Sequence, residues 1–404
     1  MGPVTLGCKT NATMPKIKVT LLAQVVGLLD RDSFRKIVST RGTDKHHKGI
    51  NSWTHMLSML FCHLGKAGSV REISQGLKSI TGNLSHLGIA QAPSKSSISY
   101  INKHRDWRLF RDYYFELLAK LEGACKRKRQ YALRLKRKIY LMDATVVPLC
   151  LKLFDWARFR RRKGAIKLHT ILDYDTSLPV FLHLTDGKVH DVTVARDVTF
   201  PPGSVVVADR AYVDFDWLFN LDSSGVFFVT RLKRNAQIEQ VTGYLTDDRN
   251  EYILADEDIR LTGFYTSQKY PNTLRVVRVL HPETQKELVF VTNQMSWTAQ
   301  TISELYHARW DIEVFFKHIK QVLKIKTFVG TSPNAVLIQV WTAMIAILLL
   351  KYLQAKAKFN WHLSNLVSFL RLNMFVKIDL WEWLDTPMIR EARPPPQPTL
   401  FSLG

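Results

Sequence analysis

Three carboxylates stand where a carboxylate is costly or oddly aligned. Asp143 interrupts Ile139-Tyr140-Leu141-Met142-Asp143-Ala144-Thr145-Val146-Val147, which otherwise reads as a buried strand. Asp209 directly follows Val205-Val206-Val207-Ala208, a second buried strand. Burying a carboxylate costs several kcal/mol unless it is paired or bound to metal. Either Asp alone could cap a turn or pair with a nearby arginine, but two placed this way ask for a shared reason. The third acid is Glu313, on a helical segment predicted to start near Thr301. At about 100° per residue, with Tyr306 at about 0°, Arg309 falls near about −60°, Glu313 near about −20° and Lys320 near about −40°. One stripe therefore carries a carboxylate flanked by Tyr, Arg and Lys. That set fits a metal ligand beside phosphate contacts. It fits equally a solvated face with an Arg309–Glu313 ion pair at i,i+4. Trp310, Ile312, Val314, Phe315, Phe316 and Ile319 lie around the rest, free to pack inward or against the sheet.

The elements that must position these acids are legible in outline. Lys16 to Leu121 reads as helical, with Trp53-Met56-Leu57-Leu60-Phe61-Leu64 at helix spacing and Ser69-Val70-Arg71-Glu72 resembling a capping box. Ser94–Lys103 reads as a small polar helix; it suits a DNA groove and suits a plain helical bundle as well. From Lys138 the pattern turns to strands: Ile139–Val147, Ala165–Leu172, Pro179–Leu184, Ser204–Ala208 and Val226–Thr230. Short β-type runs fill Arg231 to Thr292, before the helix that bears Glu313. Strands, a β-rich insertion and then helices indicate an α/β core. Asp173 and Asp175 fall in a turn, Asp186 enters a loop and Asp191 starts a helix, so these acids are weaker candidates. His169 and His190 read as structural histidines.

The chain has 404 residues, 46% of them apolar, which excludes a disordered or collagen-like protein. Its formal net charge is +22. That excess points to a polyanion, most often nucleic acid, although a basic protein without such a partner would show it too. The excess is concentrated: Lys126 to Lys163 holds 14 basic and two acidic residues, while Arg231 to Trp297 holds nine of each. Cys8, Cys62, Cys125 and Cys150 form no CxxC pair and read as reduced thiols of a cytoplasmic protein. No apolar run opens the chain. The longest, Val336–Leu350, falls short of the ~20 residues that span a bilayer and is expected as a buried core helix without membrane contact.

The segment Tyr306-His307-Ala308-Arg309-Trp310-Asp311-Ile312-Glu313-Val314-Phe315-Phe316-Lys317-His318-Ile319-Lys320 matches Y-(2)-R-(3)-E-(6)-K. On this signature, and on Asp143-Ala144-Thr145 and Val207-Ala208-Asp209-Arg210-Ala211-Tyr212, the chain resembles IS4-type insertion-sequence transposases over most of residues 15–360. The resemblance implies an RNase H-like catalytic core with a β-rich insertion, preceded by a small helical N-terminal domain. Asp143 would lie on the first strand, Asp209 after the fourth and Glu313 on the helix after the insertion, as a DDE triad. The implied divisions are an extension at 1–14, a helical and DNA-binding domain at 15–121, and a basic linker at 122–137. A catalytic domain at 138–370 (insertion about 231–297) and a C-terminal tail at 371–404 follow.

The implied chemistry is two-metal phosphoryl transfer. Asp143, Asp209 and Glu313 would hold two Mg²⁺ ions, with Mn²⁺ as a substitute. A phosphodiester at the transposon end would be hydrolysed, and the freed 3′-OH joined to target DNA by cut-and-paste transfer. Tyr306, Arg309, Lys320 and Lys317 would contact phosphates near the cut. Arg210 beside Asp209, and the runs Lys126-Arg127-Lys128-Arg129, Arg134–Lys138 and Arg158–Lys163 (with Arg160, Arg161, Arg162 and Lys163), would hold DNA backbone. Trp297 could stack on a base but is better read as packing. Pairing two ends implies at least a dimer on double-stranded DNA, in the bacterial cytoplasm at the nucleoid. Two other readings stay open: a DDE-type nuclease without strand transfer, and a DNA-binding protein whose catalysis has lapsed.

Overall fold

The apolar runs around Asp143 and Asp209 become adjacent strands of one sheet. In the computed structural model, β1 (Ile139–Leu149) lies antiparallel to β3 (Lys163–Asp173) and parallel to β5 (Val205–Ala208). β4 (Leu178–Asp186) pairs with β3, and β6 (Phe227–Arg231) runs parallel to β5. The path β4-β3-β1-β5-β6 has three antiparallel strands followed by two parallel to the first, the RNase H-like arrangement. The described residues are 19–45, 49–80, 84–126, 135–149, 158–160, 163–244, 252–323 and 328–388.

Asp209 follows the fifth strand in chain order rather than the fourth. A short strand, β2 (Arg158–Arg160), pairs with β3 and shifts the count. Three residues are too few for a period-2 pattern to show in sequence. The insertion is also less separate than its neutral composition suggests. β7 (Ile238–Gly243), β8 (Ile253–Leu261), β9 (Leu274–Leu280) and β10 (Glu287–Thr292) continue the same sheet in the order β6-β10-β9-β8-β7. Asn293 fastens the junction. Its side chain donates to Asp222 at 2.7 Å and accepts from the Phe228 N–H at 3.0 Å.

Side chains alternate across the sheet, so each strand feeds two cores. Leu141, Val207, Val229 and Phe290 face a helical layer; Met142, Val206, Ala208 and Phe228 face the other side. The helical layer combines helices from the N-terminal and C-terminal halves of the chain. α3 (Ser52–Leu64), α5 (Lys95–His104) and α6 (Arg108–Cys125) pack around α12 (Pro333–Lys356), together with α11 (Trp310–Leu323) and α13 (Leu363–Asn373). α12 starts on a Ser332 cap with Pro333 in its first turn, and it is apolar all round. By length and composition it could cross a membrane, but 83% of its apolar window is buried inside the protein. That matches the expected core helix.

Residues from the expected N-terminal and catalytic domains thus share one core. His63 bonds Thr342 at 2.9 Å, and Asn334 donates to the Asn102 and Arg105 carbonyls at 2.9 and 2.7 Å. The start of α1 (Leu21–Gly27) is tied to the far end of the chain, with Leu21 N–H donating to the Val376 carbonyl at 3.0 Å. The segment expected as a tail from 371 carries α14 (Leu380–Asp385), where Leu380, Trp383 and Leu384 are buried. The 1–14 extension and the proline-rich stretch lie outside the described residues, as do Cys8 and Cys150; Cys62 and Cys125 are buried. The capping box forms at α4 (Val70–Ser79) in modified form. Ser69 accepts from Glu72 N–H at 3.2 Å, while Glu72 reaches the N–H of Gly68 at 2.8 Å.

Candidate active site

Strand register brings the two aspartates together. β1 and β5 pair from Ile139↔Val205 to Met142↔Ala208, and the next position on each strand is Asp143 and Asp209. Paired positions on parallel strands share a face. Asp143 has the same parity as Leu141, so it points toward α11, the helix that carries Glu313. Asp209 stands at the N-cap position of a 3-10 turn, Arg210–Tyr212, without a side-chain capping bond, and its carbonyl accepts from the Thr230 hydroxyl at 3.3 Å.

The helix beneath is broken at its central residue. α10 (Ala299–Ala308) ends and α11 begins at Trp310, with Arg309 between them. Arg309 N–H bonds the Tyr306 carbonyl at 3.1 Å and Ile312 N–H bonds the Arg309 carbonyl at 3.0 Å, so the turns tighten to i→i−3 on both sides. A continuous helix was expected. Trp310 and Val314 were expected to be free to pack inward, but they are 59% and 39% exposed. Ile312, Phe315, Phe316 and Ile319 do pack inward.

Arg309 links the acids. Its Nη1 donates to Asp143 Oδ2 at 2.9 Å and its Nη2 to Glu313 Oε1 at 2.9 Å. Tyr306 donates to Asp209 Oδ1 at 3.3 Å, its ring lies against Phe290, and the Arg309 guanidinium sits 5.5 Å over the same ring. The expected Arg309–Glu313 pair is therefore present, but Arg309 and Tyr306 spend their bonds on carboxylates. Burial pushes the Asp143 carboxyl up to about 6, with Asp209 and Glu313 adding repulsion; Arg309 and the Ala144 N–H pull the other way. Burial likewise raises the Tyr306 hydroxyl to about 12, so it stays protonated and donates its hydrogen bond at neutral pH.

Basic residues surround this cluster unevenly. Lys317 and Lys320 are exposed and, with Asp143, Glu313, Ala144, Thr145 and Phe316, line a cleft of about 540 Å³. A second cleft of about 460 Å³ is lined by Asp209, Arg210, Lys233, Arg234 and Asn235. Lys233 and Arg234 escaped the sequence reading; the signal was available as a basic run directly after an apolar strand adjacent to that of Asp209. Lys126 is exposed after α6. Arg127, Lys128, Arg129, Arg161 and Arg162 lie outside the described residues. Arg160 and Lys163 are opposed backbone positions of β2 and β3. Two members of the 134–138 run are used within the fold. Lys138 pairs with buried Asp173, and Arg137 donates to the Gly203 carbonyl at 3.0 Å. Trp297 is half-buried and packs on Phe227. His169 is buried and bonds Thr185 at 2.8 Å; burial pushes it down to about 4, hence neutral.

Among the described residues, no three His, Cys, Asp or Glu side chains converge as a ready-made metal cluster. The oxygen-only donor set nevertheless fits a hard divalent cation, and the acids already gather around a cationic group.

Comparison with known proteins places the chain in a family. The family model of the transposase DDE domain matches residues 134–349, more than half of the chain, so the chain belongs to the DDE-domain transposases. Such enzymes cut and join DNA with the help of divalent metal. A protein of Sinorhizobium fredii, y4zB, described as a transposase, is 30% identical over 263 residues, covering 64% of this chain and 71% of its own. The transposase of element IS5377 from Geobacillus stearothermophilus is 30% identical over 262 residues, 64% of this chain and 68% of its own. The IS231E transposase of Bacillus thuringiensis is 24% identical over 267 residues, 53% and 55% of the two chains. Within the DDE class the protein is an insertion-sequence transposase of the IS4 type. Residues 18–90 match a further family, a domain of unknown function, DUF4372.

Proposed function

We propose that Asp143, Asp209 and Glu313 are the catalytic carboxylates, cleaving DNA at the ends of the insertion sequence and joining the freed 3′-OH to a target. The observation that carries this is the convergence of Asp143 and Glu313 on one guanidinium, beside Asp209 in register. The three acids would hold Mg²⁺, which activates water and stabilises the leaving oxygen in phosphoryl transfer. The protein's own share is positioning. β1 and β5 hold two carboxylates side by side, and α11 presents the third from beneath. Tyr306 holds Asp209 by its hydroxyl. Lys317 and Lys320 line the cleft beside Asp143 and offer point charges to the phosphates flanking the scissile bond. Arg210, Lys233 and Arg234 would guide the strand on the Asp209 side. Lys126, Arg127, Lys128, Arg129, Arg160, Arg161, Arg162 and Lys163 remain proposed backbone contacts, which carry affinity rather than sequence information.

Sequence reading of the ends falls to α5. Its exposed positions Lys95, Ser96, Ser99, Tyr100 and Lys103 share one face that bears no acid, while Ile98, Ile101 and Asn102 anchor the opposite face. Cut-and-paste transfer by at least a dimer, in the cytoplasm at the nucleoid, completes the reading.

The test incubates the protein with duplex DNA bearing the element's ends and Mg²⁺. Asp143→Ala, Asp209→Ala and Glu313→Ala should each lose cleavage and joining by roughly a thousandfold or more, as removal of one member of a catalytic unit does. A variant that cuts and joins normally removes its residue from the triad. Cutting without joining by the parent protein would favour a nuclease.

A further inference from the structure

We infer that Arg309 is the internal counter-ion of the metal-free acid cluster, which must swing out onto a DNA phosphate before divalent metal can load. This rests on the triad reading above. The two terminal nitrogens of one guanidinium go to two different carboxylates, each at 2.9 Å. Arg309 thus stands between Asp143 and Glu313, where the fold brings positive charge to them. Its side chain is only 12% exposed and that of Asp143 20%. Arginine cannot relieve the arrangement by losing its proton, so the group can leave only by moving.

Three features favour such a movement. The Arg309 Nε is buried and makes no hydrogen bond among the described residues, so the fork is hydrogen-bonded only at its two tips, beside its contact with the Tyr306 ring. The residue sits at the break between α10 and α11, where a small change of backbone angle re-aims its long side chain. The cleft beside Asp143 and Glu313 is lined by Lys317 and Lys320, which would draw a phosphate to within the arginine's reach. Phosphate accepts a guanidinium bidentately and compensates for the bonds given up. Metal and DNA would then bind with positive coupling, each tightening the other by the same factor. In the absence of DNA the acids would hold arginine rather than metal, and stray hydrolysis would be suppressed.

The experiment titrates the full-length protein with Mn²⁺, followed by electron paramagnetic resonance, with and without duplex DNA of mixed sequence. Arg309→Ala should bind Mn²⁺ about tenfold tighter than the parent without DNA. DNA should tighten Mn²⁺ binding in the parent but scarcely in the variant. Arg309→Lys, which keeps the charge but loses the fork, should fall between them and serves also if the alanine variant does not fold. Equal or weaker Mn²⁺ binding by folded Arg309→Ala or Arg309→Lys would overturn the inference. Asp143→Asn, titrated in the presence of DNA, separates the two layers. If it binds Mn²⁺ as the parent does, the triad reading fails; if it loses the ion while the Arg309 variants do not gain, only the counter-ion role fails.

Discussion

Asp143 shows what a single residue sacrifices for a site. Its carboxyl is raised from 3.8 to about 6 by burial, so between these values the native state binds more protons than the unfolded chain. Stability therefore falls as pH rises through that window, and the full penalty is present above it. At about 1.4 kcal/mol per pH unit, the shift amounts to about 2–3 kcal/mol. Asp143→Asn should accordingly melt higher than the parent at pH 8 in EDTA, with the advantage shrinking toward pH 5. A difference that stays flat with pH would contradict the raised carboxyl. His55 and His169 work in the opposite sense. Burial lowers them to about 3 and about 4, so the native state binds fewer protons than the unfolded one and loses stability as pH falls below about 6.5. Variant and parent share that loss, so the Asp143 contribution is read from their difference. The residue types were fully legible: an acid in an apolar strand is visible in the sequence. What Arg309 and Tyr306 bond to was not, because a side chain on a helix stripe can face solvent, phosphate or carboxylate with the same spacing.

At the scale of elements, two helices present basic stripes for different tasks. On α11, Glu313, Lys317 and Lys320 fall at i, i+4 and i+7, and the lysines open onto the cleft beside the acids. On α5, Lys95 and Lys103 flank an uncharged centre, far from the acids in the chain. Each lysine that touches a phosphate adds about 1 to the slope of log affinity against log salt. Lys317→Ala, Lys320→Ala, Lys95→Ala and Lys103→Ala should each lower that slope by about 1, measured by fluorescence anisotropy over a salt series. A slope unchanged by the α11 pair would place DNA elsewhere. Only the α5 pair should also alter preference between end-bearing and mixed-sequence duplexes if α5 reads the ends. Strand and helix identities here followed from hydrophobic period. The break at Arg309 did not, since neither Gly nor Pro marks it, and the short β2 gave no periodic signal.

At the scale of the whole molecule, the chain closes on itself. α12, near the end of the expected catalytic domain, is the helix around which the N-terminal helices assemble. Val336, Trp341, Ile345 and Leu349 are buried among residues from both halves. A fragment spanning 138–370 would expose α12 along the faces that α3, α5 and α6 cover, an apolar surface far larger than a soluble monomer carries. We expect that fragment to aggregate or remain unfolded, and the full chain to unfold in a single transition by circular dichroism and tryptophan fluorescence. A soluble, cooperatively folded 138–370 fragment would show the N-terminal helices to be an independent domain.

Taken alone, the amino-acid sequence singled out the three acids, the helix stripe beside them, the order of strands and helices apart from β2 and the break at Arg309, and the family. These are local properties, written in residue type, spacing and period. Tertiary structure decided which groups meet. It put Asp143 beside Asp209 by parallel register, inserted Arg309 between Asp143 and Glu313, ran the insertion into the main sheet, and gathered helices from the N-terminal and C-terminal halves around α12. Each depends on contacts between residues tens to hundreds of positions apart, and their free energy exists only once the chain has brought them together.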